Sequence, residues 1–333
     1  NVEGRNVKNT SFLFNNLIAF IAIYLPLREL TRNIFMIQQI KVQEKLTLLR
    51  NEMQRLQLSA YVIPTNDPHL SEYIPDYWKQ REWLSGFTGS VGTLVVLNKK
   101  AALWTDSRYY IQAEKQLEGT GVVVMKMSDF KTISIPEYIL QELNYGAEVG
   151  LDARLFSAFD IQTWLFSFEK GGLIVKTAID LISAIWRDRP LLQHHSPFLH
   201  DINYAGKSYL EKLRDLRQKM NEVGADIFPV TALDEVAWLL NIRGSDVNYN
   251  PFCLAYCLVQ KEKVTVYVGE KSLSHEVETY FQRQGIVVAD YDDFAIALTA
   301  VKGEKVLLDN AKVSYGFYQL IEKENIILQS VSP

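Results

Sequence analysis

Trp83-Leu84-Ser85-Gly86-Phe87-Thr88-Gly89-Ser90 is answered, at a constant offset, by Trp238-Leu239-Leu240-Asn241-Ile242-Arg243-Gly244-Ser245. The surroundings of the two stretches repeat as well. Downstream of the first lies a predicted hairpin, Thr93 to Leu97, the turn Asn98-Lys99-Lys100, then Ala101 to Trp104. Its counterpart runs Leu254 to Val259, turns at Gln260 to Lys263, and returns over Val264 to Val268. Upstream of each stretch is a short apolar strand, Ala60-Tyr61-Val62-Ile63-Pro64 and Asp226-Ile227-Phe228-Pro229-Val230. Before those strands, Val42, Leu46, Leu49, Met53 and Leu56 fall on one helical face. Tyr209, Leu213, Leu216, Met220 and Val223 repeat the same alternation of four and three. Later, Gly121-Val122-Val123-Val124 stands beside Gly285-Ile286-Val287-Val288, and Val149-Gly150-Leu151-Asp152 beside Val306-Leu307-Leu308-Asp309. The chain carries an internal duplication.

Amphipathic helices interleaved with short buried strands and hairpins specify α/β domains, each a mixed sheet covered by helices. A length of 333 residues suits two of them in tandem. The first is placed at residues 36–178 and the second at 204–333. Between them a linker, 179–203, is read from Trp186-Arg187-Asp188-Arg189-Pro190 and the polar stretch that follows. Residues 1–35 are expected to stand outside the fold. Phe12 to Leu27 is apolar, but Asn15 and Asn16 interrupt it and Pro26 closes it, short of the about 20 residues a spanning helix needs. Leu27-Arg28-Glu29-Leu30 offers no small-residue cleavage site for a secretory leader. Met36, the first methionine, is the expected native start, and a membrane anchor ahead of it is the lesser alternative.

Hydrophobic residues at 48% and charged residues at 22% describe a packed globular chain, not a disordered one. A net charge of -4 with mixed signs gives no electrostatic footprint for nucleic acid. Cys253 and Cys257 lie four apart in the apolar run Phe252 to Val259. They read as buried, reduced thiols on one strand face, which fits a cytosolic compartment.

The motifs have to be weighed against plain structural roles. Gly86, Gly89 and Gly92 precede a strand instead of following one, and no Lys-Ser or Lys-Thr comes after them. A nucleotide-binding loop is excluded, and turns with positive φ are the expected use. His194, His195, His200 and Asp201 cluster in the linker without the i, i+4 spacing that organises metal ligands, so a solvated linker is the default. Asp67-Pro68-His69-Leu70-Ser71 reads as a turn into a helix capped by Asp67 or Ser71. Thr105-Asp106-Ser107-Arg108-Tyr109 ends the first hairpin, whereas the second copy has Gly269-Glu270-Lys271-Ser272 and no arginine there. The fold can therefore be built without Arg108. From the residues alone two readings stand level: an ion pair with Asp106, or an arginine aimed at a ligand carboxylate or carbonyl.

Several of these blocks together resemble the cytosolic Xaa-Pro aminopeptidases (aminopeptidase P). They are Pro64 with Asp67-Pro68-His69, Ser71-Glu72-Tyr73, Ser85 to Ser90, Leu103 to Tyr109, Trp186 to Pro190 and Thr231 to Val247. Ser107 departs from the family's usual glycine. The resemblance implies two creatinase-like N-terminal domains followed by a pita-bread catalytic domain, expected to begin past Pro333 and so absent here. That domain holds two divalent metals, often manganese, which lower the pKa of a bridging water and polarise the carbonyl before proline. No catalytic residue and no metal ligand is then expected within this chain, and the chain alone is expected to be inactive. One contact is carried over: the family's peptide-contacting arginine falls on Arg108. The implied partners are short peptides with proline second, the chain's own catalytic domain and, in the intact protein, further copies of itself in the cytoplasm. A non-catalytic peptide- or protein-binding module of the same fold is the competing reading. A creatine or prolyl-dipeptide hydrolase suits the long two-copy region less well.

Overall fold

The computed structural model describes residues 39–333, so Phe12 to Leu27 and Met36 lie outside the described residues. The first copy opens with α1 (39–55), β1 (Ala60–Pro64), α2 (Gln80–Ser85), β2 (Thr93–Leu97), β3 (Ala101–Thr105) and α3 (Tyr110–Leu117). It continues with β4 (Val122–Lys126), α4 (Ile135–Glu142), β5 (Glu148–Leu151), α5 (Ala158–Lys170), β6 (Ile174–Lys176) and α6 (Ile182–Ile185). Two short elements, β7 (Phe198–Leu199) and α7 (Ile202–Ala205), lead into the second copy. There α8 (Tyr209–Val223), β8 (Ile227–Val230), α9 (Leu233–Leu240), β9 (Ile242–Arg243), β10 (Ala255–Gln260) and β11 (Val264–Val268) come first. They are followed by α10 (His275–Arg283), β12 (Ile286–Asp290), α11 (Phe294–Ala300), β13 (Lys305–Leu308), α12 (Tyr315–Glu322) and β14 (Ile326–Gln329).

The two sheets have the same topology, β4-β3-β2-β1-β5-β6 and β12-β11-β10-β8-β13-β14. In each, the hairpin and its neighbour pair antiparallel (β1·β2·β3 and β8·β10·β11), and the outer strands are added parallel. The duplication read from the sequence is a duplication of topology.

Local chemistry repeats too. Val42, Leu46, Leu49 and Met53 are buried on α1, as are Tyr209, Leu213, Leu216 and Met220 on α8. Leu56 lies just beyond α1 but still packs against the same cluster, whereas Val223 is exposed. Arg50 on α1 donates from Nε to the Leu97 carbonyl at 3.0 Å, and Arg217 on α8 does the same to Gln260 at 3.1 Å. Ser208 and Glu211 close a capping box at the start of α8, and Gly224 ends that helix in the left-handed conformation.

Strand alternation divides the core. On β1, Ala60 and Val62 face one cluster while Tyr61 and Ile63 face another. On β10, Tyr256 and Leu258 join the cluster of Ala60 and Val62, whereas Ala255, Cys257 and Val259 pack beneath the second copy's own helices. One apolar cluster is thus shared by both domains. Cys253 and Cys257 are free, buried together in the second copy, and burial pushes both thiols up to about 12.

The stretch expected to be a linker is more ordered than its polarity suggests. Leu181, Ile182 and Trp186 are buried in the first domain's cluster. His195 stays exposed but is tethered, its Nδ1 2.9 Å from the buried Asp246 carboxylate.

Candidate functional site

The site is built on the end of β3. Asp106 caps the turn that follows: its Oδ1 accepts from the Arg108 amide at 3.0 Å. The same carboxylate takes the Arg108 side chain, with Nε to Oδ1 at 3.1 Å and Nη2 to Oδ2 at 2.7 Å. This pairing holds the Asp106 carboxyl below its ordinary value and raises the guanidinium. The geometry realises the ion-pair reading of Arg108. The guanidinium is paired, yet the side chain is 57% exposed, and among the described residues nothing hydrogen-bonds its Nη1.

An internal control shows what a purely structural version looks like. Asp152-Ala153-Arg154, after β5, repeats the same cap and ion pair. There Nη2 of Arg154 also donates to Asp180 at 2.9 Å, and the guanidinium lies 5.4 Å from the Trp78 ring. Arg108 also has a ring beside it, Tyr109 at 5.3 Å, but among the described residues it has no second carboxylate clamp. The corresponding turn of the second copy, Glu270–Ser272, forms without an arginine.

Tyr109 ties this turn to the glycine loop, its hydroxyl 2.7 Å from Ser90 Oγ. The loop itself is held from below by Arg81, which is 2% exposed. Its Nη1 and Nη2 donate to the Phe87 and Gly89 carbonyls, and Nε donates to Thr65 Oγ1 at 2.8 Å. Desolvation brings the Arg81 guanidinium down to about 10, so it stays charged at neutral pH. The glycines were expected to serve positive φ, and only Gly86 does so (φ 75). Gly89 is required by close approach instead: a Cβ there would lie 2.3 Å from the Phe87 ring and 2.8 Å from Tyr109.

A cleft of about 200 Å³ opens beside this loop, lined by Thr88 to Ser90, Glu72, Tyr73, Trp78 and, from the second domain, Asn248 and Tyr249. Tyr249, held at φ 66, meets Tyr73 edge-on at 6.5 Å across the domain boundary. Glu72 on the rim adds to the field that raises Arg108.

The Asp67 motif does form a capped turn, but it does not enter a helix directly. Asp67 Oδ1 accepts from the amides of His69 and Ser71, both at 3.0 Å, and Leu70 adopts φ 57. The turn delivers His69 into the second domain. Its ring stacks on Tyr256 at 4.1 Å, Nδ1 lies 2.7 Å from the Thr231 carbonyl, and Nε2 lies 2.8 Å from the Tyr291 hydroxyl. A carbonyl only accepts, so Nδ1 carries the proton and Nε2 receives the tyrosine. Burial lowers the imidazole to about 3 and pushes the Asp67 carboxyl up to about 6.

His194 packs on Tyr291 while His195 turns to Asp246, so the linker histidines do not converge. Among the described residues no group of three His, Cys, Asp or Glu could hold a metal ion. No helix among them is long and apolar enough to cross a membrane. Sequence reasoning missed Arg81 and the interdomain role of His69. Nothing in a lone arginine or histidine announces a partner far along the chain.

The creatinase/prolidase N-terminal domain family matches twice, over residues 45–165 and 188–333. Xaa-Pro aminopeptidase 1 of Dictyostelium discoideum is 34% identical across 89% of this chain and 48% of its own length. Xaa-Pro aminopeptidase 2 of Sus scrofa is 33% identical across 88% and 45%. Among solved structures, the X-prolyl aminopeptidase of Caenorhabditis elegans, described as a cytosolic enzyme with a di-nuclear active site, superposes with a TM-score of 0.82 at 28% identity. That match covers 87% of this chain and 50% of the nematode enzyme. The chain spans about half the length of these relatives, or somewhat less.

Proposed function

The chain belongs to the creatinase/prolidase N-terminal domain family, once in each copy, and from this we propose that it is the N-terminal part of a metal-dependent Xaa-Pro aminopeptidase. The observation that carries the reading is the single superposition of both domains on the nematode enzyme. A TM-score of 0.82 over 87% of the chain requires a similar arrangement of the two domains, not merely a similar fold in each.

In this reading the substrates are short peptides with proline at the second position, and the intact protein is a cytoplasmic homo-oligomer. The two divalent metals, manganese in our assignment, would supply an activated water and a polarised carbonyl. The described residues do not fit such a pair. What this chain supplies is contact and access. Arg108 donates from Nη1 and the outer edge of Nη2 to a peptide carbonyl or carboxylate, with a charge fixed at any working pH. Asp106 orients the guanidinium, and the Arg81-held loop fixes Tyr109 beside it. The first domain roofs one side of the site, admitting unfolded peptides only.

The test is hydrolysis of Arg-Pro-Pro by the intact protein with manganese, beside the 333-residue chain alone. Turnover by the intact protein only is the expected result. Turnover by the isolated chain would overturn the division of labour. Peptide binding without cleavage by the intact protein would favour a non-catalytic binding module.

A further inference from the structure

The first copy covers its outer face with the chain that leaves it. After β6, Leu181, Ile182 and Trp186 fold back and join the cluster of Leu49, Tyr61, Ile63 and Leu84. Trp186 is 7% exposed and stacks on Trp83 at 5.1 Å and 15°. Lys45 lies beneath, its Nζ donating to the Trp83 carbonyl at 2.6 Å and standing 4.6 Å from the indole centre. Asp188, farther along this strap, acts on the Lys45 charge.

The second copy has the same seat. Lys212 Nζ donates to the Trp238 carbonyl at 2.7 Å and stands 4.6 Å from its indole centre. Leu216, Phe228, Val230 and Leu239 occupy the places of Leu49, Tyr61, Ile63 and Leu84 in the duplicated register. Together with Lys212 and Trp238 they line a cleft of about 180 Å³. Trp238 is 50% exposed, and among the described residues no ring stacks on it. Lys212 is 2% exposed and held by two acceptors, the Trp238 carbonyl and Asn241 Oδ1 at 2.5 Å, while Asp215 and Glu235 stand on the cleft wall.

We propose that this cleft is the second domain's seat for the polypeptide that continues past Pro333 in the intact protein, placing an aromatic ring on Trp238. The inference rests on the functional reading above, in which a further domain follows. A segment of the same chain is favoured over another molecule because the first copy's strap starts directly after its last strand. The chain after β14 is already led the same way. The Ser332 amide donates to Asp309 at 3.0 Å, and Ser332 and Pro333 stand on the rim of the cleft. One difference is built in. The Tyr61 hydroxyl donates to the Ile179 carbonyl at 2.8 Å and accepts from the Leu181 amide at 3.2 Å, whereas Phe228 can do neither. The second strap therefore lacks that hydroxyl anchor, although the Ser330 amide still donates to the Leu308 carbonyl at 3.0 Å.

The probe is a synthetic peptide of residues 177–190, the first copy's own strap, added to the 333-residue chain at the millimolar level a short tether would supply. The Trp238 indole resonance should shift and saturate, and the same peptide carrying W186A should leave it in place. In the intact protein, Trp238 should be protected from N-bromosuccinimide, which attacks it in this chain. An unmoved Trp238 resonance, or an equal shift with the W186A peptide, overturns the proposal. So does a reactive Trp238 in the intact protein. Protection that survives replacement of the segment just after Pro333 by a glycine-serine tract would mean that another surface covers the cleft, and overturns it too. If Trp238 is protected by that segment while the intact protein cleaves no peptide, the seat stands and the aminopeptidase reading falls.

Discussion

Ser157 pairs with Ser314 across an isolated antiparallel bridge between the domains, and each serine is the N-cap of the corresponding helix in its copy, α5 and α12. The hydrogen bonds beside the pair are exchanged symmetrically. The Ala158 amide donates to the Val313 carbonyl at 2.9 Å, and the Tyr315 amide to the Phe156 carbonyl at 2.8 Å. The copies meet as the subunits of an isologous dimer do, the same patch on both sides of a local twofold axis.

Because this bridge lies against an apolar cluster drawn from both sheets, the domains should unfold together. Calorimetry is expected to give one transition with agreeing calorimetric and van't Hoff enthalpies. Ser157→Ala and Ser314→Ala should each cost about 1 kcal/mol through the lost cap. Two resolved transitions would show the domains to be independent.

Arg108→Ala in the intact protein should lower kcat/KM for a proline-second peptide by roughly ten- to a hundredfold, the scale of a lost charge-assisted hydrogen bond. The unfolding midpoint should barely move, since the side chain is exposed and surface pairs contribute little. A loss of stability with kcat/KM intact would make Arg108 no more than the partner of Asp106.

His69→Phe should destabilise the protein at neutral pH by about 1–3 kcal/mol, because it takes the ring N–H from the Thr231 carbonyl and leaves the Tyr291 hydroxyl with Tyr256 alone. The gap should close in acid. With a folded value of about 3, the wild-type ring stays neutral while the unfolded chain takes up a proton near 6.5. The neutral ring's contribution is thus complete above pH 6.5 and is lost as pH falls toward 3, at up to about 1.4 kcal/mol per pH unit. Asp67, pushed up to about 6, works in the opposite sense but is present in both proteins. Urea midpoints of the two proteins between pH 7.5 and 4 provide the check, and a gap constant with pH would contradict it.

Gly89→Ala should cost about 1–3 kcal/mol, the usual penalty for overpacking. The added methyl meets the Phe87 ring and Tyr109, so the loop must shift and loosen the seat of Arg108 as well. The variant should therefore lose both stability and kcat/KM, where Arg108→Ala loses only the second. An unchanged midpoint would mean that the loop yields freely.

The fold was legible because a duplication states each helix, strand and hairpin twice, and periodicity fixes which face is buried. Arg108 stood out for a related reason, as a residue that one copy has and the other does without. The missed features depend on distance in sequence. Arg81 is legible only once the Phe87 to Gly89 loop curls over it. His69 needs Thr231, Tyr256 and Tyr291, none of which periodicity can bring to it. Gly89 was misread because local rules report φ and not what will lie against a missing Cβ. The linker looked solvated because its polar residues hide the three apolar ones, Leu181, Ile182 and Trp186, that pack.

The two thiols carry a practical consequence. Cys253 and Cys257 sit in one core, and burial suppresses their thiolates. A thiol reagent added to the native protein can therefore react only as fast as the second copy opens. Two residues with no part in the chemistry serve as a stopwatch for that domain. Its reading with and without a bound peptide reports whether filling the cleft between Tyr73 and Tyr249 tightens the whole pair.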